Sequence, residues 1–109
     1  MSKPNILFIC GKARKRSPTA ADLATKWNVV NADCAGVSLD ADTMVTLNEI
    51  EWADKIVVME LKHKKKLNSL FGAALRDKPI KCLGIPDNYE YMQDALVDIL
   101  TSKLAFLRG

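Results

Sequence analysis

The chain has 109 residues, 49% hydrophobic and 27% charged, with 16 Lys and Arg against 13 Asp and Glu for a net charge of +3. That balance fits one globular domain over residues 1–109 with a core of its own, and excludes a disordered or low-complexity chain. Cys10, Cys34 and Cys82 are odd in number and lack C-x-x-C pairing, which argues against a disulfide framework and against a structural zinc site.

No apolar stretch approaches the roughly 18 to 20 residues that span a bilayer, and the N-terminus lacks a signal peptide's cleavage pattern. A cytoplasmic protein without a membrane partner is expected. No motif calls for a metal or cofactor.

Four short β-like runs, at 5–10, 31–35, 55–59 and 79–83, alternate with helical patterns. This rhythm predicts an α/β fold in three layers, a four-stranded parallel sheet with helices on both faces. The first run, Asn5 to Ile9, ends in Cys10. A helix from Ser17 or Pro18 to Trp27 follows, with Ser17 as N-cap and Ala20, Leu23, Ala24 and Trp27 facing the sheet.

Thr46 and Glu49 form a T-x-x-E capping box for a short second helix, which leads through Asp54, a strand-edge or turn residue, into the third strand. A third helix over 60–71 should stop at Gly72 in a left-handed conformation. Leu67, Leu70, Phe71 and Ala74 mark its inner face. Lys62 to Lys66 then form a solvated outer face, in which His63 is a surface residue without a role and nucleic-acid binding is not expected. A last helix, 92–107, buries Ala95, Leu96, Ile99, Leu100, Leu104 and Leu107. The segment Gly84 to Tyr89, rich in Gly, Pro, Asp and Asn, is a loop at a strand's carboxyl end, where open α/β sheets hold their ligands.

Cys10 and Arg16-Ser17-Pro18 together read C-x5-R-S-P, the layout of a cysteine phosphatase. A buried strand presents the thiol at its tip, and the backbone N–H groups of Gly11, Lys12, Ala13, Arg14, Lys15 and Ser17 can circle an anion at a helix N-terminus. Arg16 closes the ring, because a guanidinium fork holds two phosphate oxygens where an ammonium acts as a point charge. The loop, the helix and Arg16 all favour a thiolate at Cys10, the nucleophilic form.

N-I-L-F-I-C with R-S-P-T-A, Cys34-Ala35-Gly36, Ala53-Asp54 before an apolar strand, and Asp87 with Tyr89 together resemble the low-molecular-weight protein tyrosine phosphatases. W-A-D-K-I-V-V-M-E-L-K-H-K and I-P-D-N-Y-E-Y-M are similar to a compact bacterial branch of that family. The resemblance implies hydrolysis of a phosphotyrosine protein or small aryl phosphate through a phosphocysteine. Cys10 would be the nucleophile, Arg16 the phosphate clamp, Asp87 the general acid, and Ser17 a donor to the sulfur. Tyr89 would pack against the substrate ring.

The chain departs from the family's loop, C-x-G-N-x-C-R-S. Ala13 stands where Asn helps to hold the loop's shape, and Lys15 replaces the second loop cysteine. Asn88 stands where Pro follows the acid, and the segment between the second and third strands is short. Asp87 also reads as an Asx-turn residue, Ser17 as a pure helix cap and Tyr89 as a loop anchor. A phosphate-binding pseudophosphatase, a phosphocysteine carrier domain and an arsenate reductase are the alternative functions. Oligomeric state is not readable.

Overall fold

The computed structural model of the chain describes residues 3–108. Strands β1 (Asn5–Cys10), β2 (Asn31–Gly36), β3 (Lys55–Val58) and β4 (Ile80–Cys82) form one parallel sheet in the order β2-β1-β3-β4. β1 lies between two neighbours and under helices on both faces, which is why Ile6, Leu7, Phe8 and Ile9 are all buried rather than alternating.

The two-residue period of β1 divides the interior. Ile6, Phe8 and Cys10 join a core completed by Ala20, Leu23 and Ala24 of α1 (Arg16–Trp27) and by Leu96 and Leu100 of α4 (Asp94–Lys103). Leu7 and Ile9 join a second core with Ile50 of α2 (Leu47–Trp52) and Leu67 of α3 (Leu61–Phe71). These are the three layers expected from the sequence.

From β1 the chain moves to β2 at one edge, then crosses back to β3 on the other side of β1. The connections leaving β1 and β3 therefore diverge, which opens a crevice beyond their carboxyl ends.

Several local expectations change. Lys15, not Ser17, occupies the N-cap position of α1, and no side chain caps that helix. Thr46 is the N-cap of α2 as expected, but its hydroxyl bonds the Glu49 carboxylate instead of a backbone N–H. Gly72 ends α3 with φ 8°, outside the left-handed region, because the chain continues there into a 3-10 turn, Gly72–Leu75. Leu70 is 41% exposed: α3 turns Leu67 fully inward and leaves Leu70 one turn beyond the sheet.

α4 is shorter than its pattern suggested, and a 3-10 turn, Ala105–Arg108, completes the segment. That turn folds beneath the amino ends of the strands. The ammonium groups of Lys55 and Lys81 lie 4.9 and 4.6 Å from the Phe106 ring centroid, and Arg108 stacks 4.3 Å from that of Trp27. Nearby, Asn5 ties down the end of α2: its N–H donates to Asp54 at 2.8 Å and its amide to the Trp52 carbonyl at 3.0 Å. Of the two placements its position allowed, strand edge or turn, Asp54 takes the turn.

Candidate active site

A cleft of about 860 Å³ opens at the crevice, lined by Cys10, Gly11, Lys12, Arg14, Lys15, Arg16 and Asp87 among others. Its floor is the turn from β1 into α1. The carbonyls of Cys10, Gly11 and Lys12 accept hydrogen bonds from the N–H groups of Val37, Ser38 and Asp42 at 3.1, 2.9 and 2.9 Å. The segment after β2 thereby holds the loop by its outer carbonyls.

Such close approach needs Gly36, since a Cβ there would stand 2.5 Å from the Gly11 carbonyl oxygen and 2.7 Å from the Ala41 Cβ. Ala13 takes φ 57°, a left-handed conformation costly to a residue with a Cβ and no polar side chain to compensate. Its reward is local: the Ala13 N–H donates to the Cys10 sulfur at 3.2 Å.

The Ser17 hydroxyl lies 3.0 Å from the same sulfur and is fully buried. Beside a thiolate it is the donor, and it stands inside the first turn of α1, past the N-cap position at Lys15. Ala13 and Ser17 therefore support the sulfur from behind the cleft wall, and neither lines the cleft. Cys34 on the neighbouring strand is no competing nucleophile, because burial, aided by the Asp33 charge, pushes its thiol up to about 11.

Arg16 is 4% exposed and fixed from two sides. Its Nη1 donates to Glu60 Oε1 at 2.5 Å and to the Ile85 carbonyl at 2.7 Å, while its Nε stands 3.8 Å from Asp87 Oδ1. Burial opposes the charge on Glu60, but the bond from Arg16 and its positive charge outweigh burial and hold the carboxyl below its usual range. Asp87 sits on the rim, largely open to water, above the cysteine loop as its position after β4 predicted.

Glu60 is also the N-cap of α3 in a reciprocal box: its side chain accepts from the His63 N–H, and its own N–H donates to His63 Nδ1 at 3.1 Å. His63 is thus 2% exposed, not a surface residue, because the cap folds its ring back under the cysteine loop. Nδ1 accepts, so the proton is on Nε2, which is buried without a hydrogen-bond partner. Burial first, then the Arg16 charge, lowers His63 to about 4, so the ring is neutral at pH 7.

Tyr89 does not line the cleft: it is half-buried against the core shared with α4 and anchors its loop, which corrects its placement against a substrate ring. The basic loop side chains are paired, Lys12 with Asp40 at 3.2 Å, Arg14 with Asp42 at 2.8 Å and Lys15 with Glu90 at 3.1 Å. The remaining walls come from residues that the motif did not indicate: Val37 to Asp40 and Met44 on one side, Lys62, His63, Lys66 and Leu70 of α3 on the other. One local signal could have pointed to part of this wall, the Glu60-x-x-His63 spacing at the start of a helical pattern.

Among the described residues no group of three or more His, Cys, Asp or Glu side chains is placed to hold a metal ion, and no helix is long and apolar enough to cross a membrane.

The chain matches no protein-family model, and no curated protein matches it in sequence. Solved structures do match over nearly its whole length. The tyrosine phosphatase Wzb from Escherichia coli K30, crystallised with phosphate, is 21% identical with a TM-score of 0.78, over 97% of this chain and 97% of that one. A low molecular weight protein tyrosine phosphatase from Streptococcus pyogenes is 16% identical with a TM-score of 0.75, over 100% and 95%. The YwlE arginine phosphatase from Geobacillus stearothermophilus is 21% identical with a TM-score of 0.74, over 96% and 88%. The fold is that of the low-molecular-weight protein tyrosine phosphatases.

Proposed function

We propose that the protein is a cysteine phosphatase that hydrolyses phosphotyrosine-type monoesters through a phosphocysteine. The observation that carries this reading is the double support of the Cys10 sulfur, by Ala13 N–H and Ser17 Oγ, at the bottom of a cleft whose Arg16 is already held in place. A purely structural cysteine needs neither donor.

In the first step the Cys10 thiolate attacks phosphorus in line, an S–P bond forms and the bond to the leaving oxygen breaks. Asp87, as the acid, gives its proton to that oxygen. In the second step water attacks phosphorus, Asp87 as carboxylate takes the water's proton, and the S–P bond returns its electrons to sulfur. Inorganic phosphate leaves. Charge on the transferring group is spread over three oxygens, so fixed donors contribute more here than new covalent chemistry. Glu60 keeps Arg16 in position between uses, and Ser17 stabilises the departing thiolate.

Hydrolysis of para-nitrophenyl phosphate tests this. Turnover in Cys10→Ser should vanish, Arg16→Ala should lose about 10²- to 10³-fold in kcat/KM, and Asp87→Asn about 10²-fold. Wild-type turnover no higher than that of Cys10→Ser overturns the reading and favours a pseudophosphatase. Because the structural relatives include both a tyrosine and an arginine phosphatase, phosphotyrosine and phosphoarginine peptides belong in the same assay.

A further inference from the structure

The cleft is larger than the cysteine loop requires, and its positive charge is unevenly used. About 860 Å³ falls in the range that encloses a drug-sized ligand, whereas the phosphate itself occupies only the loop end. The surplus runs along α3. Lys62, Lys66 and Leu70 line the cleft from three successive turns, a span of about 12 Å at the helical rise per residue. Across from them stand Val37, Leu39 and Met44, with Leu39 89% exposed.

The cations near the cysteine already have partners in Asp40, Asp42 and Glu90. Those on α3 differ. Among the described residues Lys66 makes no ion pair, and Lys62 comes no nearer than 3.9 Å to Glu60, whose carboxylate is committed to Arg16. Lys62 also lies in the first turn of a helix with no acidic residue there, where the dipole disfavours a cation. Helix stability therefore gains nothing from this charge, and a ligand would.

We propose that the α3 wall is a substrate subsite, and that the substrate is a phosphorylated protein segment with carboxylate side chains flanking the phosphorylated residue. Lys62 and Lys66 are its specificity-determining residues: they receive the flanking carboxylates while the phosphate sits over Cys10. Leu70, Leu39 and Met44 bound the far end with apolar surface. The inference rests on the phosphatase reading for its catalytic readout, and charge complementarity selects the partner.

The experiment compares phosphotyrosine peptides of one length, flanked by Glu or by Ala, in two assays. Turnover by the wild type should favour the Glu peptide by about tenfold in kcat/KM at low salt, and the preference should shrink between about 0.05 and about 0.5 M NaCl as the Debye length shortens. In Lys62→Glu/Lys66→Glu the preference should reverse, with the loss on the Glu peptide exceeding that on para-nitrophenyl phosphate by at least about tenfold. Fluorescence polarisation of the same labelled peptides on Cys10→Ser reads the preference without turnover. Equal binding of the two peptides, or a preference unchanged in the double variant, overturns the proposal. Stronger displacement by single-stranded RNA than by the unlabelled Glu peptide overturns it in favour of a nucleic-acid surface. A failed turnover assay with intact peptide preference indicts the catalytic reading alone.

Discussion

Two strand-to-helix turns leave neighbouring strands of this sheet and solve the same problem in opposite ways. The turn from β1 to α1 has no side-chain cap and bends through a left-handed Ala13, so its donors remain available to a sulfur and to an anion. The turn from β3 to α3 satisfies its donors internally, through the Glu60 and His63 box. A capped helix end is a poor anion site but a firm support. Glu60 uses that firmness to hold Arg16, so the closed turn positions the one side chain that the open turn must present.

Breaking the support should have the largest effect. Glu60→Ala removes the cap and leaves the buried Arg16 without its counter-charge, and should cost about 3 kcal/mol of stability with at least a tenfold fall in kcat/KM. Glu60→Gln retains an acceptor for the cap and should recover much of the stability but less of the activity. Thermal unfolding and para-nitrophenyl phosphate kinetics on both variants check the split. Full recovery of both stability and activity in Glu60→Gln would mean that Glu60 acts only as a cap.

The second effect is a pH dependence. His63 binds its proton at about 4 in the fold against 6.5 for the free side chain, so between those values the unfolded chain holds the extra proton. Stability from the neutral ring is complete above about pH 6.5 and is lost as pH falls toward 4, by about 3 kcal/mol in total. Glu60 acts in the same direction lower down, since its depressed value means that its stabilisation is lost as acid protonates it. Denaturant melts from pH 7 to 4 should slope downward in the wild type and less steeply in His63→Gln. Equal slopes would remove His63 from this account.

The smallest effect belongs to the open turn. Ala13→Asn places at φ 57° a residue that tolerates the left-handed region, and should raise stability by up to about 1 kcal/mol. Unchanged or lower stability in a chemical melt would show that the loop does not store strain at this position.

The two turns also differ in how far they could be read from the sequence. Cys10, Arg16 and Ser17 lie within eight residues, and the chemistry of their turn is a local pattern of chain order. Sheet and layers were equally legible, because β1 is continuously apolar and the helical faces repeat with the helical period. Glu60 and His63 carry only a helix-start spacing, which says nothing of Arg16. Their importance arises from the crossing of the chain over β1, which sets residue 60 against residue 16, and no local periodicity encodes that juxtaposition. His63 looked solvated because lysines surround it in sequence, while burial is decided by which side of the cap its ring folds toward. Tyr89 was legible as a loop residue, but whether it faces the cleft or the core depends on α4, which lies beyond it in sequence.

Trp27 and Trp52 are the only tryptophans of the chain, and both lie at the floor of the molecule, with Arg108 stacked on one and the Asn5 amide bonded to the carbonyl of the other. Neither lines the cleft. Intrinsic fluorescence therefore reports on the integrity of the floor and is silent to what fills the opposite end. Folding and occupancy can be followed as separate signals in one cuvette, the first by indole emission and the second by a labelled peptide.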